Sequence, residues 1–185
     1  MPMTTTHALL PLAVAVAVAK RPVPWTLIIV TMIASAAPDI DGLFKHFLGV
    51  PPNSIYGHRG AAHSLFVALA AGVMAAPFHR LLGVRPLTAG VCVAAAMASH
   101  GILDMMTDSG QPVAYLWPVS SVRLFADWRP IHSGPMHIAH LATHVFARFQ
   151  SELGQLIIPM FVIAFAVRCL RAAGHKLNIS LPQPS

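Results

Sequence analysis

Five apolar stretches, at about 5–19, 25–37, 61–82, 87–106 and 156–170, leave very little polar sequence between them. That pattern limits the fold more than any other feature of the chain. Charged residues are 10% of the 185 and hydrophobic residues 56%, with a mean hydropathy of +0.66. An average soluble domain has about 25% charged residues, so this chain cannot cover a water-facing surface with charge. Disorder is excluded as well, because it requires low hydrophobicity and high charge. The expected solvent is the bilayer, and the expected fold is an all-α, polytopic membrane helix bundle. It would have four to five transmembrane or re-entrant helices and an interfacial loop and helix.

The third and fourth stretches approach the roughly 20 residues needed to cross a bilayer. The first two are shorter and read as a tilted or re-entrant hairpin about the Lys20-Arg21-Pro22-Val23-Pro24 turn. Ala68, Ala71, Gly72 and Ala75 in the third stretch, and Ala94, Ala95, Ala98 and Ser99 in the fourth, suit close helix packing in lipid. Residues 107–135 carry Gly110, Pro112, Pro118, Pro130, Gly134 and Pro135 among Tyr115, Trp117, Phe125 and Trp128, an irregular aromatic segment fit for the interface. Residues 136–152 read as an interfacial amphipathic helix. We read 1–176 as a single membrane-embedded domain, with 107–152 a lid-like segment within it and 177–185 a loose tail.

A formal charge of +6 raises the question of nucleic acid, but the 12 Lys and Arg residues form no dense patch, so no nucleic-acid partner is expected. Lys20 and Arg21 follow the first apolar run rather than precede it, unlike a signal peptide, so that run is expected to be retained. With all five stretches crossing, Lys20, Arg21, Arg80, Arg85, Arg168, Arg171 and Lys176 share one face, which the positive-inside rule makes cytoplasmic. Cys92 and Cys169 lie in apolar stretches and read as small buried packing residues.

The ionisable residues are few and clustered: 11 histidines against six acids. His7 begins the first stretch and Pro38-Asp39-Ile40-Asp41 ends the second. His58-Arg59-Gly60-Ala61-Ala62-His63-Ser64 opens the third, and His100 with Asp104 closes the fourth. Alternating crossings bring all four places to one membrane face. His100 and Asp104 are four apart on a helix and share a side. Ionisable groups beside apolar segments are costly and tend to be functional. Imidazole with carboxylate suits Zn²⁺, Mn²⁺ or Fe²⁺ better than Ca²⁺. His7, Asp39, Asp41, His58, His63, His100 and Asp104 are too many ligands for one tetrahedral ion and enough for two. Asp41 or Asp104 is the candidate general base, and Arg59 offers a planar donor for a phosphoryl group. Asp108 reads as a possible supporting carboxylate, and His137, His140 and His144 as a partly solvated helix face.

At these residues the chain resembles the YdjM-like, LexA-regulated, membrane-bound metal-dependent hydrolases. The matching pieces are Thr6-His7, Pro38-Asp39-Ile40-Asp41, His58-Arg59-Gly60-x-x-His63-Ser64 and His100-x-x-Leu103-Asp104-x-x-Thr107-x-x-Gly110. Leu116-Trp117-Pro118 and Arg129-Pro130-Ile131 follow. The likeness covers about residues 5–131. It implies an integral inner-membrane helical protein with hydrolase activity dependent on a divalent metal. It also implies distant kinship with the zinc-dependent phospholipase C and P1 nuclease group, hence a phosphoester substrate. The resulting expectation is a bacterial inner-membrane hydrolase with one or two ions, acting at the periplasmic face on a lipid or amphipathic phosphoester. A metal or small-solute transporter is the alternative from another class, but it would place ligands on broken helices near the midplane, usually with repeats. A non-enzymatic membrane scaffold is the third, and leaves the convergence of costly groups unexplained.

Overall fold

The computed structural model describes residues 3–51, 53–132 and 141–180, and all regular structure among them is helical. Helix α1 (Thr4–Val18) and helix α2 (Trp25–Ala36) form a hairpin through the Pro22–Pro24 turn, with Pro24 as the N-cap of α2. A 3-10 turn over Ala37–Ile40, set by Pro38, leads into α3 (Asp41–Leu48). Ser64 caps α4 (Leu65–Ala75), its hydroxyl accepting from the Val67 amide at 3.2 Å. Pro86 opens the 20-residue α5 (Pro86–Met105) at a position where the missing amide costs nothing. Two isolated bridges, Thr107 with Ile131 and Val113 with Leu124, organise the irregular segment after α5. Helix α6 (Leu141–Glu152) then passes through a π turn at Leu153–Ile157 into α7 (Ile158–Ser180).

The neighbours run α4, α5, α2, α1, α7 across the bundle. Small residues set the closest approach: a Cβ added to Gly72 of α4 would lie 2.5 Å from the Gly90 carbonyl oxygen of α5. Polarity is inverted relative to a soluble protein. Arg59, His7, His63 and His100 are among the largest fully buried side chains, while Ile33, Val73, Leu87 and Val162 are 61–77% exposed. Such an exterior is at home in hydrocarbon, not water.

Among the described residues, two helical runs are long and apolar enough to cross a membrane, Pro86–Met105 and Val145–Ala173. The third apolar stretch does not form the near-spanning helix expected of it. Ser64 starts α4 only at Leu65, and Pro77 ends it in a 3-10 turn at Ala76–Phe78, leaving 11 α-helical residues, about 16 Å. The helix expected over 136–152 is present in its described part as α6, which runs on into α7 through the π turn; residues 136–140 lie outside the described residues. A short helix, α3, was not foreseen. Cys169 is exposed rather than buried, and Cys92 is half-buried; an apolar neighbourhood on a lipid-facing helix does not imply contact with protein.

Candidate metal centre

Four chain segments deliver polar side chains to one end of the bundle. His7 comes from the first turns of α1, Asp39 and Asp41 from the turn after α2, His58 to His63 from the loop before α4, and His100 and Asp104 from the last turns of α5. His7, His63, His100 and Asp104 are at most 2% exposed, as is Arg59.

The backbone beneath the site is built to hold them. Pro11 lies inside α1 and lacks the amide that would bond the carbonyl of His7, four residues earlier. The buried hydroxyl of Ser35 donates to that carbonyl instead, at 2.8 Å. The carbonyl of the same Ser35 faces Nδ1 of His100 at 2.7 Å, so Nδ1 carries the proton and Nε2 is left with its lone pair toward the site. Ser35 thus joins α1, α2 and α5 under the cluster. The Thr4 hydroxyl donates to Asp39 Oδ2 at 2.7 Å. Glu152, buried at the end of α6, accepts from the Met3 amide on both oxygens at 2.8 Å and from the Thr6 hydroxyl, placing a carboxylate at the positive end of α1.

Around the centre, Nε2 of His100 and Nε2 of His63 stand 3.1 Å apart. Asp39 Oδ1 is 3.4 Å from His100 Nε2 and 4.0 Å from His63 Nε2. Asp104 Oδ2 is 3.5 Å from His63 Nε2 and 3.8 Å from His100 Nε2. Ligands of a tetrahedral ion with bonds of about 2.0–2.1 Å stand roughly 3.3 Å apart, so these four atoms are near the required spacing. A second group, Asp41, His58 and His63, shares His63 through its other nitrogen. There Nδ1 of His63 is 3.1 Å from Asp41 Oδ2, and Nδ1 of His58 is 2.7 Å from Asp41 Oδ1. His7 stacks on His100 with ring centroids 3.7 Å apart and reaches Asp104 Oδ1 at 3.6 Å.

Seven of the inward-facing atoms are buried without a hydrogen-bond partner: both ring nitrogens of His7, Asp39 Oδ1, Asp41 Oδ2, His63 Nδ1 and both Asp104 oxygens. Buried polar groups are normally satisfied, and leaving one bare costs about 1–3 kcal/mol. Imidazole and carboxylate atoms that converge in ion-pair contact with one another and with Arg59, but without well-formed hydrogen bonds, fit a divalent cation. Outside the spanning helices the electrostatics are tightly coupled. Burial pushes His63 toward its neutral form, but the Asp104 and Asp41 carboxylates outweigh it and raise the pKa to about 9. Burial raises the Asp41 carboxyl, yet His58 and His63 overcome this and hold it below its ordinary value.

Arg59, expected to face a phosphoryl group, is turned into the protein. Its Nε is 3.0 Å from Asp104 Oδ2. Nη1 donates to the carbonyls of Gln111 and Ser109, and Nη2 to the Thr107 hydroxyl. The residue holds φ of 60°, a strained backbone for a side chain other than glycine, and these contacts fix it there. The Thr107 and Gly110 positions of the motif serve this cage. Thr107 also donates to the Asp104 carbonyl at 2.7 Å. Gly110 has φ of 92°, and a Cβ there would meet Arg59 Nη1 at 3.0 Å. Arg123 braces the same loop from outside, donating to the carbonyls of His58 at 3.1 Å and Ser54 at 2.7 Å. Asp108 points away and pairs with exposed His132 at 2.8 Å. His137 and His140 lie outside the described residues, as does the side chain of His144.

Ser35, Arg123 and Glu152 escaped sequence reasoning. Pro11, four residues after His7, was the one available signal for Ser35: it marks a carbonyl in need of a donor from elsewhere.

Comparison with known proteins agrees with the membrane character of the chain. The family described as YdjM inner membrane protein matches residues 1–176. The inner membrane protein YbcI of Escherichia coli (strain K12) is 32% identical over 148 residues, covering 77% of this chain and 83% of the relative. An uncharacterized protein, ORF4′, of Methanothermobacter thermautotrophicus is 30% identical over 86 residues, 46% of this chain and 33% of the relative. No solved structure matches. An all-helical, lipid-compatible fold and a family profile spanning nearly its whole length place the chain in the YdjM inner membrane protein family.

Proposed function

We propose that the protein is a multi-pass, membrane-bound metal-dependent hydrolase that cleaves a phosphoester of a lipid or amphipathic substrate at the outer face of the inner membrane. The observation that carries this reading is the buried group Asp39, His63, His100 and Asp104, whose ligand atoms gather with too few hydrogen bonds to satisfy them. His63 Nε2, His100 Nε2 and one oxygen each of Asp39 and Asp104 would hold the first ion, Zn²⁺ by the chemistry of the ligands, with Mn²⁺ or Fe²⁺ as substitutes. Asp41, His58 and Nδ1 of His63 would hold a second. A divalent ion there supplies a bound water of lowered pKa and a charge that polarises the phosphoryl oxygen. The half-buried His58 and, after it, Asp39 are the ligands nearest solvent, and Asp41, hydrogen-bonded to His58, would accept a proton in this reading. Arg59 acts as a positioning residue: it orients and neutralises Asp104.

Elemental analysis of the purified protein, coupled to a screen of phospholipids and generic phosphodiesters, tests the proposal. The expected result is stoichiometric divalent metal that Asp39→Ala or His63→Ala abolishes while membrane insertion persists. Purified wild-type protein without metal would refute it. Liposome flux of a metal or solute without hydrolysis, lost in the same variants, would put a transporter in its place.

A further inference from the structure

Helices α1 and α5 meet through the stacked rings of His7 and His100. Away from that contact a groove of about 490 Å³ lies between them, floored by α2. Val14 and Val18 of α1, Leu27 and Ile28 of α2, and Val91 and Ala95 of α5 form its walls. Two hydroxyls stand at the end nearer the site, and both are spent on their own helices. Thr31 donates to the carbonyls of Leu27 and Ile28 at 2.9 Å, and Ser99 donates to that of Ala96 at 2.7 Å. The site-side end therefore suits an occupant that needs no hydrogen bonds.

The groove has the length of one such occupant. From Thr88 to Ser99 along α5, eleven rises of 1.5 Å span about 16 Å. That is about half of the roughly 30 Å hydrocarbon core, the depth served by the acyl chains of one leaflet. At the opposite end the lining includes Arg21, next to Lys20, and the lining contains no acid. We propose that this groove is a site for one acyl chain of a membrane phospholipid, whose phosphate is held by Arg21 at the α1–α2 turn. The chain enters from the leaflet facing that turn and its methyl end lies beneath the His7–His100 pair. The site is thus separate from the candidate metal centre and would hold lipid whether or not the protein is a hydrolase.

The full-length protein in detergent with added phosphatidylglycerol, followed by native mass spectrometry, provides the test. Wild-type protein is expected to retain one phosphatidylglycerol per chain through dilution. Ala15→Phe and Ala95→Phe, which fill the groove from either wall, reduce retention severalfold. Arg21→Ala weakens it about fivefold, the equivalent of about 1 kcal/mol for one basic residue at an anionic surface. A measurement that needs no groove-filling variant uses Cys92, which lines the groove, in a Cys169→Ser background. Phosphatidylglycerol should slow maleimide labelling of Cys92. Equal retention by the filled variants, labelling unaffected by lipid, or a lipid-independent dimer crosslinked through Cys92 would overturn the proposal.

Discussion

Ser35→Ala and Pro11→Ala make a double-mutant cycle that tests how the site is supported. In the wild type, Pro11 denies the His7 carbonyl its helical donor and the Ser35 hydroxyl supplies one at 2.8 Å inside the bundle. Removing the hydroxyl strands a buried carbonyl, which should cost about 1–3 kcal/mol. With alanine at position 11, the new amide can bond the His7 carbonyl in ordinary i to i−4 fashion, and the hydroxyl becomes dispensable. Ser35→Ala should then cost less than about 1 kcal/mol, giving a coupling energy of about 1–2 kcal/mol. Unfolding of the purified variants in mixed SDS micelles, followed by circular dichroism, measures the four stabilities. Zinc affinity by competition with a chelator reads the same cycle at the site, because His7 and His100 both hang on Ser35. Equal costs of Ser35→Ala in the two backgrounds would refute the substitution of one donor by the other.

Further outcomes follow from the charges. Because His63 has a pKa of about 9 without metal, an ion must displace its proton at neutral pH. Apparent zinc affinity should then rise about tenfold per pH unit between about pH 7 and pH 8.5, with one proton released in calorimetry across buffers of different ionisation enthalpy. In the metal-free protein the sign reverses: the His63 cation contributes stability fully below pH 6.5 and that contribution is lost as pH rises through about 9, visible in thermal melts. Arg59→Met leaves Asp104 as a buried, uncompensated charge and should cost about 3–5 kcal/mol in the same unfolding assay, whereas Arg59→Lys keeps the charge, loses the fork and costs less. Glu152→Gln should weaken the seating of α6 on the start of α1 by about 1–2 kcal/mol, with faster hydrogen exchange at the Met3 amide as its local signature.

The convergence of His7, Asp39, His58, His63, His100 and Asp104 was legible because ionisable residues are rare here and apolar segments alternate in direction. A histidine at the start of one helix and an aspartate at the end of the next must then share a face. Arg59 was read to face the substrate from its residue type, and no local rule says otherwise. Its direction is set by Thr107, Ser109 and Gln111, about fifty residues on, in a segment without periodicity. Ser35 was invisible for a different reason: a serine among Ala and Ile near a helix end looks like the small residues that let membrane helices pack. Glu152 depends on the docking of α6 against α1, at a sequence separation of 146 to Thr6. The length of α4 was overestimated because hydropathy does not register that Ser64 is a helix cap or that Pro77 is a stop.

The inverted interior bears on how the chain matures. Of the helices that donate to the centre, α5 is long and apolar enough to reside in lipid by itself, where hydrocarbon is as hospitable to its outer face as a neighbouring helix would be. If the centre holds the ion proposed above, what favours the assembled bundle is concentrated where His7, Asp39, His63, His100 and Asp104 come together, more than in a shared apolar core. Assembly and acquisition of the site become one event. With the ion proposed above, a shortage of it would leave inserted chains whose helices have not closed, and the amount of assembled protein would follow metal supply.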